Sequence, residues 1–169
     1  MASIVVSGDT SGAITLSAPS VAGTNTITFP AATGTAMVSG NMPAFSAYQS
    51  SSQTLSVATL TKILLQTEEF DTNNNFASST FTPTVAGYYQ VTASIRGGNT
   101  QIRTYIYKNG SQYKLGTDIS AAFNAMAGTL VYCNGSTDYI EFYALFVGGG
   151  ATSAASAETW FNGCLVRAA

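Results

Sequence analysis

The sequence predicts an all-β protein, an antiparallel jelly-roll sandwich preceded by a small β-rich N-terminal region. Three observations carry that expectation. Short runs rich in Val, Ile, Thr, Tyr and Phe recur along the chain, punctuated by Gly, Pro, Asn and Ser. Asn109-Gly110 sits between the strand-like flanks Tyr105–Lys108 and Ser111–Tyr113. That is the strongest short hairpin signal, because a type I′ turn needs positive φ at both central residues. No stretch shows the i, i+3, i+4 apolar spacing of a long amphipathic helix.

Residues 1–40 read as an attachment region of four short strands of one design: Ile4–Val6, Ala13–Ser17, Thr26–Phe29 and Ala36–Val38. Ile14-Thr15-Leu16 is echoed thirteen residues later by Ile27-Thr28-Phe29, each alternating apolar, polar, apolar. A unit this small buries too little to stand alone. Ile14, Leu16, Ile27 and Phe29 are its expected anchors on a partner. Ser39-Gly40-Asn41-Met42-Pro43 reads as the junction with a domain over residues 43–169.

In that domain the strand-like runs are Leu60–Leu65, Gly87–Ile95, Ile102–Lys108, Thr129–Cys133, Tyr139–Val147 and Trp160–Arg167. Asn134-Gly135 reads as a second tight turn, and Ala121–Gly128 as one helical turn or a loop. Many short strands with turns between them suggest a sandwich or jelly roll. Alternation places Tyr105 and Tyr107 on one strand face and Ile106 on the other, so one of those faces points inward.

Composition narrows the function. Only 8% of the 169 residues are charged, against about 25% in typical domains. A surface so poor in charge is expected to be built of hydroxyls, amides and aromatics, or to be covered by partners. Six scattered Lys and Arg and a net charge of −2 provide no basic stripe for nucleic acid. No window reaches the apolar length of a membrane span. The start of the chain lacks a secretory signal pattern, so a cytoplasmic product is expected. Cys133 and Cys164 lie in apolar runs and read as small hydrophobes rather than a disulfide framework.

The chain contains no His, which removes Ser-His-Asp triads, Cys-His dyads and His metal sites. Asp71-Thr72-Asn73-Asn74-Asn75 places oxygens at alternate positions like the start of a calcium loop, but Phe76 stands where such loops need Gly. It reads as a solvated loop. Glu68 and Glu69 adjoin, face opposite sides of a strand, and read as a surface edge. Asn109 and Asn134 begin Asn-Gly-Ser sequons that read as turn chemistry. No catalytic constellation, cofactor site or metal site is therefore expected. Tyr88, Tyr89, Tyr105, Tyr107, Tyr113, Tyr143 and Trp160 admit a glycan-binding reading, placed behind core and subunit interface.

From Ala44 onward the chain resembles the globular-head jelly rolls of complement 1q-type and tumour-necrosis-factor-type proteins. The residues that carry the resemblance are Ala44-Phe45-Ser46-Ala47, the signature spacing of Phe81, Gly87 and Tyr89, the hairpin Lys108-Asn109-Gly110, and the closing run Trp160-Phe161-Asn162-Gly163-Cys164-Leu165-Val166. The chain departs from the family in having Val91 and Ala93 where aromatics usually follow the signature Tyr, and in a short spacing from Phe76 to Phe81. The resemblance implies a homotrimer with the C-terminal strand near the threefold axis, and assigns Phe45, Phe81, Gly87, Tyr89, Phe161, Gly163 and Leu165 to core or trimer contacts.

Gly8–Leu16 and Ala22–Thr35 resemble the N-terminal regions of tailed-phage fibre and head-decoration proteins. That resemblance implies a non-enzymatic virion protein. The expectation is a trimeric decoration or cement protein on the outer capsid surface, its N-terminal region bound to the major capsid protein. The alternative is a short tail fibre or spike that binds a host receptor, a host-surface glycan among the candidates.

Overall fold

The structure, a computed structural model, describes residues 3–28, 31, 33, 34 and 36–169. The chain divides into two units, Met1–Gly34 and Thr35–Ala169. In the first, β1 (Ser3–Ser7) and β2 (Ala13–Ser17) form an antiparallel hairpin. Its turn closes with Gly8 N donating to Gly12 O at 3.0 Å, and Gly12 takes φ 79°. The third and fourth expected strands are not found. Thr26–Thr28 pairs with nothing among the described residues, Phe29 lies outside them, and Ala36–Val38 leads into a turn in which Val38 N donates to Asn41 Oδ1. Pattern alone suggested strands there, but a strand needs a partner edge.

The second unit begins earlier than Pro43. Met37 packs against the core, and Asn73 Nδ2 donates to Gly40 O at 3.2 Å, tying residues 37–40 to the larger unit. Its strands are β3 (Ala44–Tyr48), β4 (Thr54–Leu55), β5 (Thr61–Lys62), β6 (Thr67–Asp71), β7 (Phe76–Ala77), β8 (Thr80–Phe81), β9 (Gly87–Lys108), β10 (Ser111–Cys133), β11 (Ile140–Phe146), β12 (Gly150–Ala151) and β13 (Trp160–Ala168). Every ladder is antiparallel.

Two of these strands organise the unit. β9 and β10 form one hairpin from Gly87↔Cys133 to Lys108↔Ser111, closed by Asn109 and Gly110 at φ 52° and 73°, as a type I′ turn requires. The first half of β9 pairs with β13 and the second half with β11. One layer is therefore β6-β3-β13-β9-β10, and the other is β9-β10 continued beside β11, β5, β8 and β7. Met126 O accepts hydrogen bonds from Thr104 Oγ1 and Thr117 Oγ1, both at 2.8 Å. Nine residues of straight strand span about 30 Å, so β10 must fold back on itself between Thr117 and Met126. Register shifts at Leu115/Asp118, Ile119/Ala122 and Ala122/Asn124 supply the bend.

Ala121–Gly128, read from sequence as a helical turn or loop, is thus strand. Asn124 pairs with Arg96 and Gly128 with Thr92, while Ala125 and Ala127 face the core. Leu60–Leu65 shrinks to a two-residue strand. Asn134-Gly135 is not a tight two-residue turn but opens the loop to β11, where Asn134 Oδ1 accepts from the amides of Ser136, Thr137 and Asp138.

The core lies between the layers. Phe45 stacks on Phe81 (4.2 Å) and Phe76 (5.0 Å) and meets the edge of Phe161 at 5.0 Å. Each such ring buries about 1.5–3 kcal/mol of transfer free energy. Gly87 is required by close approach, since a Cβ there would lie 2.4 Å from Arg167 O and 2.7 Å from Leu165 Cδ1 at the bulge in β13. Gly87→Ala is expected to lower stability by about 1–3 kcal/mol, as overpacking does, read as a fall in the urea unfolding midpoint at unchanged slope.

Candidate subunit interface

The outward face of the β3, β13, β9 and β10 layer can be read row by row from the register. Tyr48, Trp160, Ser94 and Met126 form one row; Ser46, Asn162, Thr92 and Gly128 the next; Ala44, Cys164, Gln90 and Leu130 a third. Tyr88 and Tyr132 follow, their rings 5.4 Å apart, with Arg167 of β13 as the register partner of Tyr88. None of the side chains in the first three rows is charged. On the edge strand β6, Phe70 is exposed beside Ser46, whose hydroxyl donates to Glu69 Oε2 at 2.7 Å. A shallow groove runs between Phe70, Ser46, Gln90, Thr92, Asn162 and Cys164.

β10 borders this face and forms a ladder only with β9 among the described residues; on its other edge Thr117 Oγ1 bridges Met126 N and O, and Tyr113 OH reaches Leu130 O at 3.5 Å. Tyr113, Leu115, Ile119, Phe123, Met126, Leu130 and Tyr132 are all exposed along it. Natural edge strands are normally blunted by charge, Pro or short length. Here 23 residues carry only Lys114 and Asp118, and Asp118 is paired with Arg103 at 3.0 Å.

The opposite layer shows a different face. Tyr107 and Tyr143 stack at 4.1 Å, with Tyr105 edge-on to Tyr107 at 6.5 Å, while Ile106 is buried in the core. Burial pushes the phenols of Tyr107 and Tyr143 up. Beside them Lys62 Nζ meets Glu141 Oε1 at 2.7 Å. Arg96 pairs with Glu158, and Lys108 with Asp138 at 2.9 Å. Four of the six basic residues are thus neutralised within the chain.

The structure places the residues singled out from sequence as follows. Phe45, Phe81, Tyr89, Phe161 and Leu165 are core residues with almost no exposure. Gly87 is buried, and a Cβ on Gly163 would point at Val91 Cγ1 and the Phe45 ring, so Gly163 also faces inward. These residues shape the fold, and the outward face is built by their alternating neighbours. Ile14, Leu16 and Ile27 are exposed at 70%, 52% and 81%. Glu68 and Glu69 are exposed on the edge strand β6. The Asp71 carboxylate accepts from the amides of Asn73 and Phe76, which makes that loop self-capped. Cys133 and Cys164 are free; burial pushes the Cys133 thiol up to about 11, whereas Cys164 is exposed on the groove.

Sequence reasoning missed Met126, Leu130 and Tyr132 as a face. Their signal was the alternation of Ala125, Ala127, Val131 and Cys133 with bulkier neighbours, interrupted by Gly128.

Fold and face together define a two-layered antiparallel jelly roll with one outer surface whose central rows are uncharged. No protein-family model matches the chain, and no curated protein matches it. Solved structures do. Murine APRIL superposes with a TM-score of 0.61 at 8% identity, covering 74% of this chain and 99% of that one. The globular domain of zebrafish complement 1qA gives 0.54 at 16% identity over 75% and 98% of the two chains. Eiger TNF from S. frugiperda gives 0.56 at 8% identity over 76% and 93%. The likeness is one of fold.

At one end of the hairpin, Asp138 ties the β9–β10 turn to the loop before β11. Its carboxylate accepts from Asn109 Nδ2 at 2.7 Å, from Lys108, and from Asn134 N at 3.0 Å, which holds its pKa below the ordinary carboxylate range. A depressed folded-state pKa gives stability that is present above the unfolded value of about 3.9 and is lost as pH falls through the folded value. Asp138→Asn is therefore expected to be less stable than wild type at pH 7, with the gap in urea midpoints closing as pH is lowered below about 4.

Proposed function

We propose that the chain is a non-enzymatic structural protein of a tailed-phage virion: a homotrimeric decoration or cement protein that sits on the outer capsid surface and holds to the major capsid protein through its N-terminal unit. The observation that carries the trimer is the outward face of β3, β13, β9 and β10, uncharged over three successive rows and bordered by the exposed apolar side chains of β10. Seating the edge of one copy on the face of the next would cover Met126, Leu130 and Tyr132, and a heterologous contact of that kind closes into a ring when its rotation is threefold. The resemblance to complement 1q-type heads supports the same number.

The virion assignment is supported by the resemblance of Gly8–Leu16 and Ala22–Thr35 to the N-terminal regions of phage fibre and head-decoration proteins. The N-terminal unit also suits attachment. Its described residues from Ile4 to Gly34 are all exposed, and a two-stranded hairpin is marginal in water unless something packs on it. The open edges of β1 and β2 offer backbone groups for strand addition to a capsid surface, and three arms on one trimer gain avidity. The mechanism is mechanical: one trimer bridges neighbouring capsid subunits and resists their separation. The tyrosine cluster of Tyr105, Tyr107 and Tyr143 on the other layer favours a second reading, a short fibre or spike whose outer face meets a host-surface glycan.

Leu130→Asp is expected to convert trimer to monomer in sedimentation equilibrium with the β-sheet circular dichroism retained, and to raise the alkylation rate of Cys164 at least tenfold. Wild-type protein that sediments as a monomer would exclude the trimer. Immunogold labelling of purified particles with antibody to residues 43–169 is expected to cover the head; gold confined to the tail tip would replace cementing with receptor binding.

A further inference from the structure

The β1–β2 hairpin is two-sided. Its register sets Ile4 opposite Leu16 and Val6 opposite Ile14, so these large aliphatic side chains share one face. The other face carries Val5 opposite Thr15 and Ser7 opposite Ala13. The aliphatic face is bare, with Ile4, Val6, Ile14 and Leu16 exposed at 66%, 58%, 70% and 52%. The only charged residue before Lys62 is Asp9, which lies in the turn beyond the strands.

We infer that this face is covered by the same face of sister chains, so that three hairpins pack as a prism around the threefold axis and form a second self-association site. The inference rests on the trimer reading and extends it. In a threefold assembly all three hairpins are tethered alike, and roughly 20 residues of connection have an r.m.s. reach of about 25 Å if flexible. Tethering at that distance corresponds to millimolar effective concentration. A patch of four aliphatics, too small to dimerise in dilute solution, then associates with its sisters, and no like charges oppose the approach. Ile14 and Leu16 would thus be anchored between copies. The strand edges and the segment around Ile27 remain for the capsid.

Cross-linking through a single exposed cysteine in the full chain, with Cys133 buried, tests this. In a Cys164→Ser background, Val6→Cys places a thiol on the aliphatic face and Val5→Cys on the opposite one, at nearly equal exposure of 58% and 57%. Mild oxidation of the protein, shown trimeric by sedimentation, is expected to give disulfide-linked dimers from Val6→Cys at several times the yield from Val5→Cys. Equal yields, or none from either, in a protein that still sediments as a trimer would overturn the prism and leave the jelly-roll trimer standing. A monomer in sedimentation would overturn both.

Discussion

The hydrogen bonds from Thr104 and Thr117 to the carbonyl of Met126 hold together what would otherwise be one long flat ribbon. A straight hairpin of this length would expose both faces to water and have no interior. Folded across its middle, the same hairpin contributes to both layers, the remaining strands of the large sheet are added along β9, and β4 and β12 form a separate pair. β13 and β3 extend one half, while β11, β8 and β5 extend the other. Gly97 marks the corner on β9: a Cβ there would sit 2.2 Å from Phe146 Cε2, so the phenylalanine ring occupies the space that any side chain would claim. The bend, the glycine and the ring are one device.

How far the sequence disclosed this depended on how local the cause was. The Asn109-Gly110 turn was legible because two adjacent residues with positive φ determine it. The core aromatics Phe45, Phe81 and Phe161 were legible through family resemblance and alternation. The unity of β9 was not, because the Arg96–Gln101 stretch has Gly, Asn and Thr, which read as turn residues when no partner strand is in view. Ala121–Gly128 failed for a related reason. Its inward positions are alanines that fit under the crossing of the two layers, and small residues carry little β signal until the crossing is known. In the N-terminal unit the reverse held, and alternation at Ile27 promised a strand to which no described edge corresponds.

The candidate interface shows the same division. The sequence made clear that something had to compensate for a surface with so few charges, and four internal ion pairs sharpen that point by withdrawing most of the cations from outward use. It did not show where the uncharged surface lay. The face consists of every second residue of four strands drawn from positions 44 to 164, and its composition of Ser, Thr, Asn, Gln and aromatics is unremarkable within any single strand. Only the register collects those residues into one plane.

The position of β13 has a consequence for biosynthesis. Ala44 pairs with Cys164, so the strand that fills the slot between β3 and the central hairpin is synthesised after both. Until β13 has emerged, the β3–β6 pair has no ladder to the central hairpin and the middle of the outer face is missing, since ladders between such distant residues form only after the intervening loop is closed. Before that point, neighbouring nascent chains on one messenger have no completed outer face to present to one another, and a chain cut short before Trp160 lacks the middle strand of that face.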